Sequence, residues 1–311
     1  MRFTVLASGS SGNASLIEAS GLAILIDAGL GPRQIASRLR TIGATWDAIR
    51  AVLLTHVHRD HWNENTFCWM ERKRVELHCH PAHAAHLAEV SSNFVALQAT
   101  GLVRSYQPDQ TLTLSAALLC RPFAVQHDSG ETFGFRFSHA TGLFGGGYTL
   151  AYAADLGCWD SAIVEALRET DVLALEFNHD VALERSSGRH ARLIERVLSD
   201  DGHLSNDQAA ALLHEVVRTS APGRLRHLVQ LHLSRDCNNP ELARATAQAV
   251  LERLGATAEV HTASQNETGR TLDLVGGSSR TRRNGAARAR RKPNPCRTLF
   301  LPGMELIAIG S

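Results

Sequence analysis

Thr55-His56-Val57-His58-Arg59-Asp60-His61, directly behind the apolar run Ala51-Val52-Leu53-Leu54, decides how the rest of the chain is read. Residues 51–55 are expected to form a buried strand, and side chains two apart on a strand share one side. His56 and His58 can therefore grip one ion together. Asp60 and His61 come one turn later, where the chain bends into a helix, and can face a second ion a few ångströms away. Four residues of ligand type fall within six positions. Buried strands seldom end in three histidines and an aspartate unless a metal is held there.

The same arrangement recurs at the ends of later apolar runs. His127 follows 118–125, Asp155 closes 148–154 and His232 closes 225–231. Each sets a ligand-type residue at the edge of a β core, and with the first motif they complete a set for two ions. Further strands are expected at 3–7, 15–19 and 23–26, as a small antiparallel meander, and at 75–79, 102–106, 132–137, 171–177 and 257–261. Helical patterning covers 64–73, 82–89, 159–168, 190–199, 205–218 and 240–254, and Pro32 suits the first turn of another helix through about residue 42. Two strand clusters, each followed by helices, predict an α/β chain: a four-layer αββα sandwich of two mixed β-sheets.

Length and composition agree with one such domain. The chain has 311 residues, 44% apolar and 20% charged, which excludes a fibrous repeat or a mainly disordered protein. Residues 276–311 hold eight basic residues and one acidic, so the other 275 carry 24 basic against 30 acidic. The expected division is a metallohydrolase domain over 1–275 and a low-complexity, flexible and disordered basic tail over 276–311, which could touch nucleic acid or simply be solvated. Six scattered cysteines without a C-x-x-C pair signal neither a disulfide framework nor a zinc ribbon. With no signal-like segment and no run of roughly 18 apolar residues, the expectation is a cytoplasmic protein with no membrane partner.

The chain resembles the metallo-β-lactamase fold superfamily, whose H-x-H-x-D-H signature is met in full, with the later His, Asp and His in family order. Within it the resemblance is to the YycJ/VicX-like, WalJ-type branch: a Ser8-Gly9-Ser10-Ser11-Gly12-Asn13 loop, an ILIDAGL strand at 24–30, Glu176-Phe177-Asn178-His179-Asp180, Gly202-His203-Leu204-Ser205-Asn206, and a His-Leu-Ser with paired asparagines across 232–239. It covers about 1–262. Val57 and Arg59 depart from the Glu and Ser usual in the branch, at positions that hold no metal.

That resemblance implies one ion on His56, His58 and His127, another on Asp60, His61 and His232, and Asp155 bridging. Zinc is the default for an imidazole-rich set, with manganese the other candidate. Two divalent ions can bring the pKa of a bridging water from 15.7 to about 7, supplying hydroxide that Asp60 would orient. Glu176 and His203 match positions where phosphodiesterase relatives carry an acidic residue and a histidine that protonates the leaving oxygen, so His203 is the expected general acid and Glu176 its partner. His179 is a candidate for orienting a ligand. Ser10 and Asn13 in the Ser-Gly loop, with Asn238 and Asn239, are candidate substrate-binding residues. A plain tight turn and a helix start before Pro240 are the competing explanations.

The function so implied is a binuclear metal-dependent phosphodiesterase, a 5′ to 3′ DNA exonuclease. The polymer substrate rests on family analogy, and the acidic body works against it, since a nuclease usually needs a basic track. The competing functions are a small-molecule hydrolase on the same fold (cyclic phosphodiesterase, thioester or lactone hydrolase) and a non-catalytic nucleic-acid-binding protein. A second histidine cluster, His78, His80, His83 and His86, could in principle bind zinc, but its segment suits an ordinary strand and helix.

Overall fold

Apolar runs without alternation build the centres of two sheets, and alternating runs build their flanks. In the computed structural model, which describes residues 1–140 and 147–274, the run Val172–Glu176 is buried at every position. Val172 and Ala174 face the opposite sheet while Leu173 and Leu175 face helices, so this strand is covered on both sides. Leu118–Val125 instead alternates buried and exposed side chains over much of its length.

The first sheet contains β1 (Arg2–Ala7), β2 (Ala14–Ala19), β3 (Leu22–Ile26), β4 (Ile49–Leu53), β5 (Glu76–Cys79), β6 (Val103–Ser105) and β14 (Leu272–Asp273), in the order β14-β1-β2-β3-β4-β5-β6. The second contains β7 (Leu112–Thr113), β8 (Leu118–Val125), β9 (Thr132–His139), β10 (Tyr148–Ala153), β11 (Val172–Glu176), β12 (His227–Leu231) and β13 (Glu259–Thr262), in the order β13-β12-β11-β10-β9-β8-β7. Both sheets are mixed. β1 to β3 form the expected antiparallel meander, and β3 to β6 run parallel. β7 to β10 are antiparallel neighbours, and β10 to β13 run parallel.

Phe3, Ile17, Ile24 and Leu53 from one sheet pack against Phe133, Phe135, Phe137 and Tyr152 from the other. Each such side chain removed from water contributes about 1.5–3 kcal/mol. Outside the first sheet lie α1 (Pro32–Thr41), α2 (Glu64–Lys73), α3 (Pro81–Val90) and α4 (Ser92–Ala99), burying Ile35, Leu39, Phe67, Met70, Leu87 and Phe94. Outside the second, α5 (Ser161–Leu167), α8 (Asn206–Arg218) and α9 (Pro240–Arg253) bury Leu167, Leu212, Val216, Ala247 and Leu251. Two short helices, α6 (Val181–Ser186) and α7 (Ala191–Leu198), follow β11. The layers run helix, sheet, sheet, helix, as the sequence pattern predicts.

Five elements escape that pattern, among them a single 3-10 turn at Trp46–Ala48. α4 is a helix of its own because the Ser91 hydroxyl accepts from Phe94 N–H and starts a new turn. α6 begins in the same way on Asp180, whose carboxylate accepts from Leu183 N–H. β7 and β14 are two residues long and exist only by pairing with β8 and β1. The expected basic tail lies outside the described residues. Among those described, no helix is long and apolar enough to cross a membrane.

Candidate metal centre

The strand directions bring one set of ends together. β1, β3 and β4 of the first sheet run the same way, as do β8, β10, β11 and β12 of the second. Residues 8–13, Asp27, the His56 segment, His127, Asp155, Glu176 and His232 all stand at the carboxyl ends of these strands. Ligands of open α/β sheets collect at such ends.

One expectation needs correcting. β4 ends at Leu53, so His56 and His58 lie on a loop beyond it rather than on the strand. Leu54 N–H still bonds the His78 carbonyl across to β5, at 2.9 Å. Thr55 then turns to a side chain: its N–H and its hydroxyl donate to the Asp27 carboxylate at 2.8 and 2.9 Å. A carboxylate replaces the neighbouring strand, and the ladder stops. The loop is then fixed by Asn13 N–H to the Asp60 carbonyl at 2.7 Å, Gly29 N–H to the Asn13 carbonyl at 2.9 Å and Ala28 N–H to the His61 carbonyl at 2.9 Å. A Cβ on Gly29 would overlap the Asp60 carbonyl, which requires glycine there.

His56, His58 and His127 converge, with rings 4.9 to 5.2 Å apart and His58 Nδ1 3.3 Å from His127 Nε2. Asp60, His61 and His232 form a second group, in which Asp60 Oδ2 is 3.5 Å from Nε2 of either histidine. Asp155 stands between them, grouped with His56 and His61, its Oδ2 3.2 Å from His61 Nε2 and its Oδ1 2.9 Å from His232 Nδ1. His56 Nε2, Asp155 Oδ2 and His232 Nε2 are buried without a hydrogen-bond partner among the described residues. Buried polar atoms are rarely left so, and a divalent cation would satisfy them. Burial, reinforced by His61, holds His56 well below the ordinary imidazole pKa, leaving the neutral form that can bind a metal. Burial disfavours charge on Asp155, but His232 and His61 prevail and keep it ionised.

The opposite ring nitrogens are tied down. His61 Nδ1 donates to Asp27 Oδ2 at 2.8 Å, and His127 Nδ1 donates to the Gly202 carbonyl at 2.9 Å. Such bonds fix the tautomer and aim the free nitrogen. Asp27 is fully buried, and the sequence reading assigned it no role. Its only signal there is a carboxylate closing an apolar strand. Asp27, Asp155 and His232 also adopt φ of +61°, +55° and +55°, a left-handed backbone uncommon outside glycine. Three such residues at one edge mark a site that holds strain in place.

Glu176 ends β11, fully buried, and binds His203 Nδ1 at 2.8 Å, His232 Nδ1 at 3.1 Å and Leu156 N–H at 3.0 Å. Burial alone would raise its pKa, yet His203 and these hydrogen bonds bring it down to about 2. Burial equally works against a charged His203, but Glu176 wins and raises the imidazole pKa above its usual value. His203 lines a cleft of about 380 Å³ together with Ser10, Asn178, Arg189, Arg196 and Ser234. A larger cleft of about 570 Å³ lined by Arg121, Arg136 and Arg168 contains none of the ligand-type residues above.

The candidate substrate contacts divide. Ser10 is exposed and lines the cleft. Asn13 is buried, its amide facing inward to Asp60 Oδ2 at 3.1 Å and His61 Nε2 at 3.0 Å, so its contacts brace the candidate centre. Gly9 N–H is taken by Asn13 Oδ1, Gly12 N–H by the Gly9 carbonyl and Ser11 N–H by Gln265 Oε1, so the loop is a tight turn in which these three donors are occupied. Asn238 is buried, with its amide on the Phe177 and Asn178 carbonyls and on Asn206. Asn239 caps α9 by accepting from Leu242 N–H. Asn238 has no polar group free for substrate, whereas Asn239 is exposed and only its Oδ1 is engaged by the cap. His179 is fully buried, and neither ring nitrogen has a hydrogen-bond partner among the described residues, so no contact through which it would orient a ligand is seen.

In the second histidine segment the contacts are local, although His78 Nδ1 is buried without a hydrogen-bond partner among the described residues. His83 Nε2 donates to the Glu131 carbonyl at 2.7 Å and its Nδ1 accepts from His80 N–H, while His78 Nε2 pairs with Glu76 at 3.2 Å. Among the described residues these four do not form a convergent group.

Residues 23–222 match the model of the family described as beta-lactamase superfamily domain. Exodeoxyribonuclease WalJ of Streptococcus pneumoniae is 29% identical over 245 residues, which is 79% of this chain and 86% of that protein. Exodeoxyribonuclease YycJ of Bacillus anthracis is 26% identical over 262 residues, covering 82% and 90%. Among solved structures, zinc-bound PqqB of Methylobacterium extorquens superposes with a TM-score of 0.64 at 17% identity, over 88% of this chain and all of that one, a likeness of fold. With a family model matched across well over half its length and both sheets in place, the chain belongs to the beta-lactamase superfamily and has the metallo-β-lactamase fold.

Proposed function

We propose that this protein is a metal-dependent exodeoxyribonuclease that uses two divalent ions, zinc by preference for imidazole ligands, and degrades DNA from the 5′ end. His56, His58 and His127 would hold one ion, Asp60, His61 and His232 the other, with Asp155 shared. Bound there, the ions supply Lewis acidity, acidifying a water and polarising the phosphoryl group. The observation that carries a phosphodiester substrate is His203 beside these groups. With Nδ1 engaged by Glu176 at 2.8 Å, the nitrogen left for substrate is Nε2. A proton delivered from Nε2 neutralises the alkoxide that leaves when the P–O bond breaks. Glu176 holds that ring in its tautomer and favours the cationic form. Asp60, partly exposed beside the cleft, orients the attacking water.

The two relatives named as exodeoxyribonucleases support DNA as the substrate. Arg189 and Arg196 line the cleft, but each is paired with carboxylates, Arg189 with Glu184 and Asp236 and Arg196 with Asp128, so the reading of DNA rests on these relatives and not on local charge. The test is hydrolysis of 5′-labelled and 3′-labelled duplex DNA, and of bis-p-nitrophenyl phosphate, with His58→Ala as control. Shortening of DNA from the 5′ end that the variant abolishes is the expected result. Cleavage of the small ester alone would replace the nuclease by a small-molecule phosphodiesterase.

A further inference from the structure

We propose that His227, Glu259 and His261 form a separate divalent-cation site that fastens β13 to β12 at the end of the sheet remote from His203. Parallel pairing sets His227 opposite Glu259, and His261 lies two residues further along β13. All three side chains therefore share the sheet face that carries Val229, the face turned to the other sheet. His227 Nδ1 is 3.2 Å from His261 Nε2 and 3.6 Å from Glu259 Oε2, and that carboxylate oxygen is 3.7 Å from His261 Nε2.

These spacings are diagnostic when set beside the main centre. There, neighbouring ligand atoms stand 3.2 to 3.5 Å apart, as in His61 to Asp155, His58 to His127 and His61 to Asp60. The nearest point equidistant from the three atoms of the second triangle lies in their plane, about 2.0 Å from each, and a tetrahedral position just outside that plane lies about 2.1 Å away, within the range of zinc–imidazole and zinc–carboxylate bonds. With the ion at that position, a fourth corner is left for water. Arg270 Nη1 holds the other oxygen of Glu259 at 3.0 Å, leaving Oε2 to the ion. The two imidazoles are mostly shielded, with 18% and 17% of their side-chain surface exposed, and Glu259 is half exposed. An ion can enter from solvent and be held on partly shielded imidazoles.

The site cannot share an ion with the catalytic centre. His227 begins β12 and His232 follows its other end, Leu231, which lies about 13 Å away at 3.3 Å per residue. Two histidines and one carboxylate favour zinc, nickel or copper over calcium or magnesium. Because β13 is the last strand of its sheet, an ion here would close the sheet's edge by linking two strands that hydrogen bonds alone join.

Zinc bound per chain, measured by elemental analysis after equilibration in a zinc-buffered solution, provides the test. The full-length protein is expected to bind one more ion than His261→Gln, while both hydrolyse substrate at the same rate. His58→Ala is expected to keep this ion, so that loss of the catalytic centre and loss of the second site are told apart. Should His261→Gln fail to fold by circular dichroism, Glu259→Gln serves, since an amide is a poor zinc ligand and leaves the histidine pair intact. Equal zinc content in wild type and the folded variant would overturn the proposal, as would a zinc-induced rise in melting temperature that both show to the same degree.

Discussion

Two neighbouring parallel strands, β4 and β5, each lead into a histidine-rich segment, and the two segments have opposite fates. After β4, His56, His58 and His61 turn toward histidines and carboxylates of the other sheet, and one nitrogen of His56 is buried without a partner. After β5, His83 spends both nitrogens on backbone groups, and His80 caps α3. The number of histidines is similar, so their density does not make the site. What separates the segments is a buried carboxylate, Asp27, that ends one strand's ladder and fixes one ring nitrogen of His61 so that the other faces Asp60 and Asp155. Where the backbone supplies both partners, histidine is a packing residue.

Removing a ligand breaks the contrast most severely. His58→Ala or Asp155→Ala is expected to lower DNA hydrolysis on the order of 10³-fold, because metal Lewis acidity supplies several kcal/mol of transition-state stabilisation. Steady-state rates with metal content measured on the same samples check this. His203→Ala is expected to cost roughly 10²- to 10⁴-fold on DNA but little on bis-p-nitrophenyl phosphate, whose leaving group needs no proton. A parallel loss on both substrates would show that His203 has no acid role. Asp27→Asn is expected to weaken metal binding about 10- to 100-fold by loosening His61, as a shift in the zinc concentration that restores activity.

The β5 segment sharpens the comparison from the other side. His83→Gln is expected to leave hydrolysis and metal content unchanged and to alter the pH dependence of stability. Burial lowers the His83 pKa to about 4, against 6.5 in the unfolded chain, so the unfolded state takes up its proton first as pH falls. The contribution of neutral His83 is therefore complete above pH 6.5 and is lost as pH drops toward 4, by about 3 kcal/mol in all. Urea unfolding at several pH values should show a shallower acid slope in the variant. An unchanged slope would mean that the ring is not held neutral by its burial.

The residues of the candidate centre were legible in the sequence because each follows or ends an apolar run, and a polar residue at a buried strand's end has few other reasons to be there. The two sheets were legible for a similar reason, since continuous runs such as 172–176 suit only strands covered on both sides. The orienting groups were not. Asp27 meets His61 through the pairing of β3 with β4, Ile26 against Leu53, and Gly202 meets His127 across 75 residues. Spacing along the chain carries no trace of either. Asn238 and Asn239 show the limit of spacing, because an asparagine that caps a helix or ties two loops has the same sequence signature as one that binds a phosphate. The triangle of His227, Glu259 and His261 is likewise a product of register between strands 32 residues apart.

The most direct measurement is metal content, by elemental analysis, of the wild type, His58→Ala and His80→Ala proteins prepared side by side. The structure predicts that His58→Ala loses bound metal together with hydrolysis, while His80→Ala keeps both at the wild-type level. Loss of metal from His80→Ala, or full retention by His58→Ala, would contradict it.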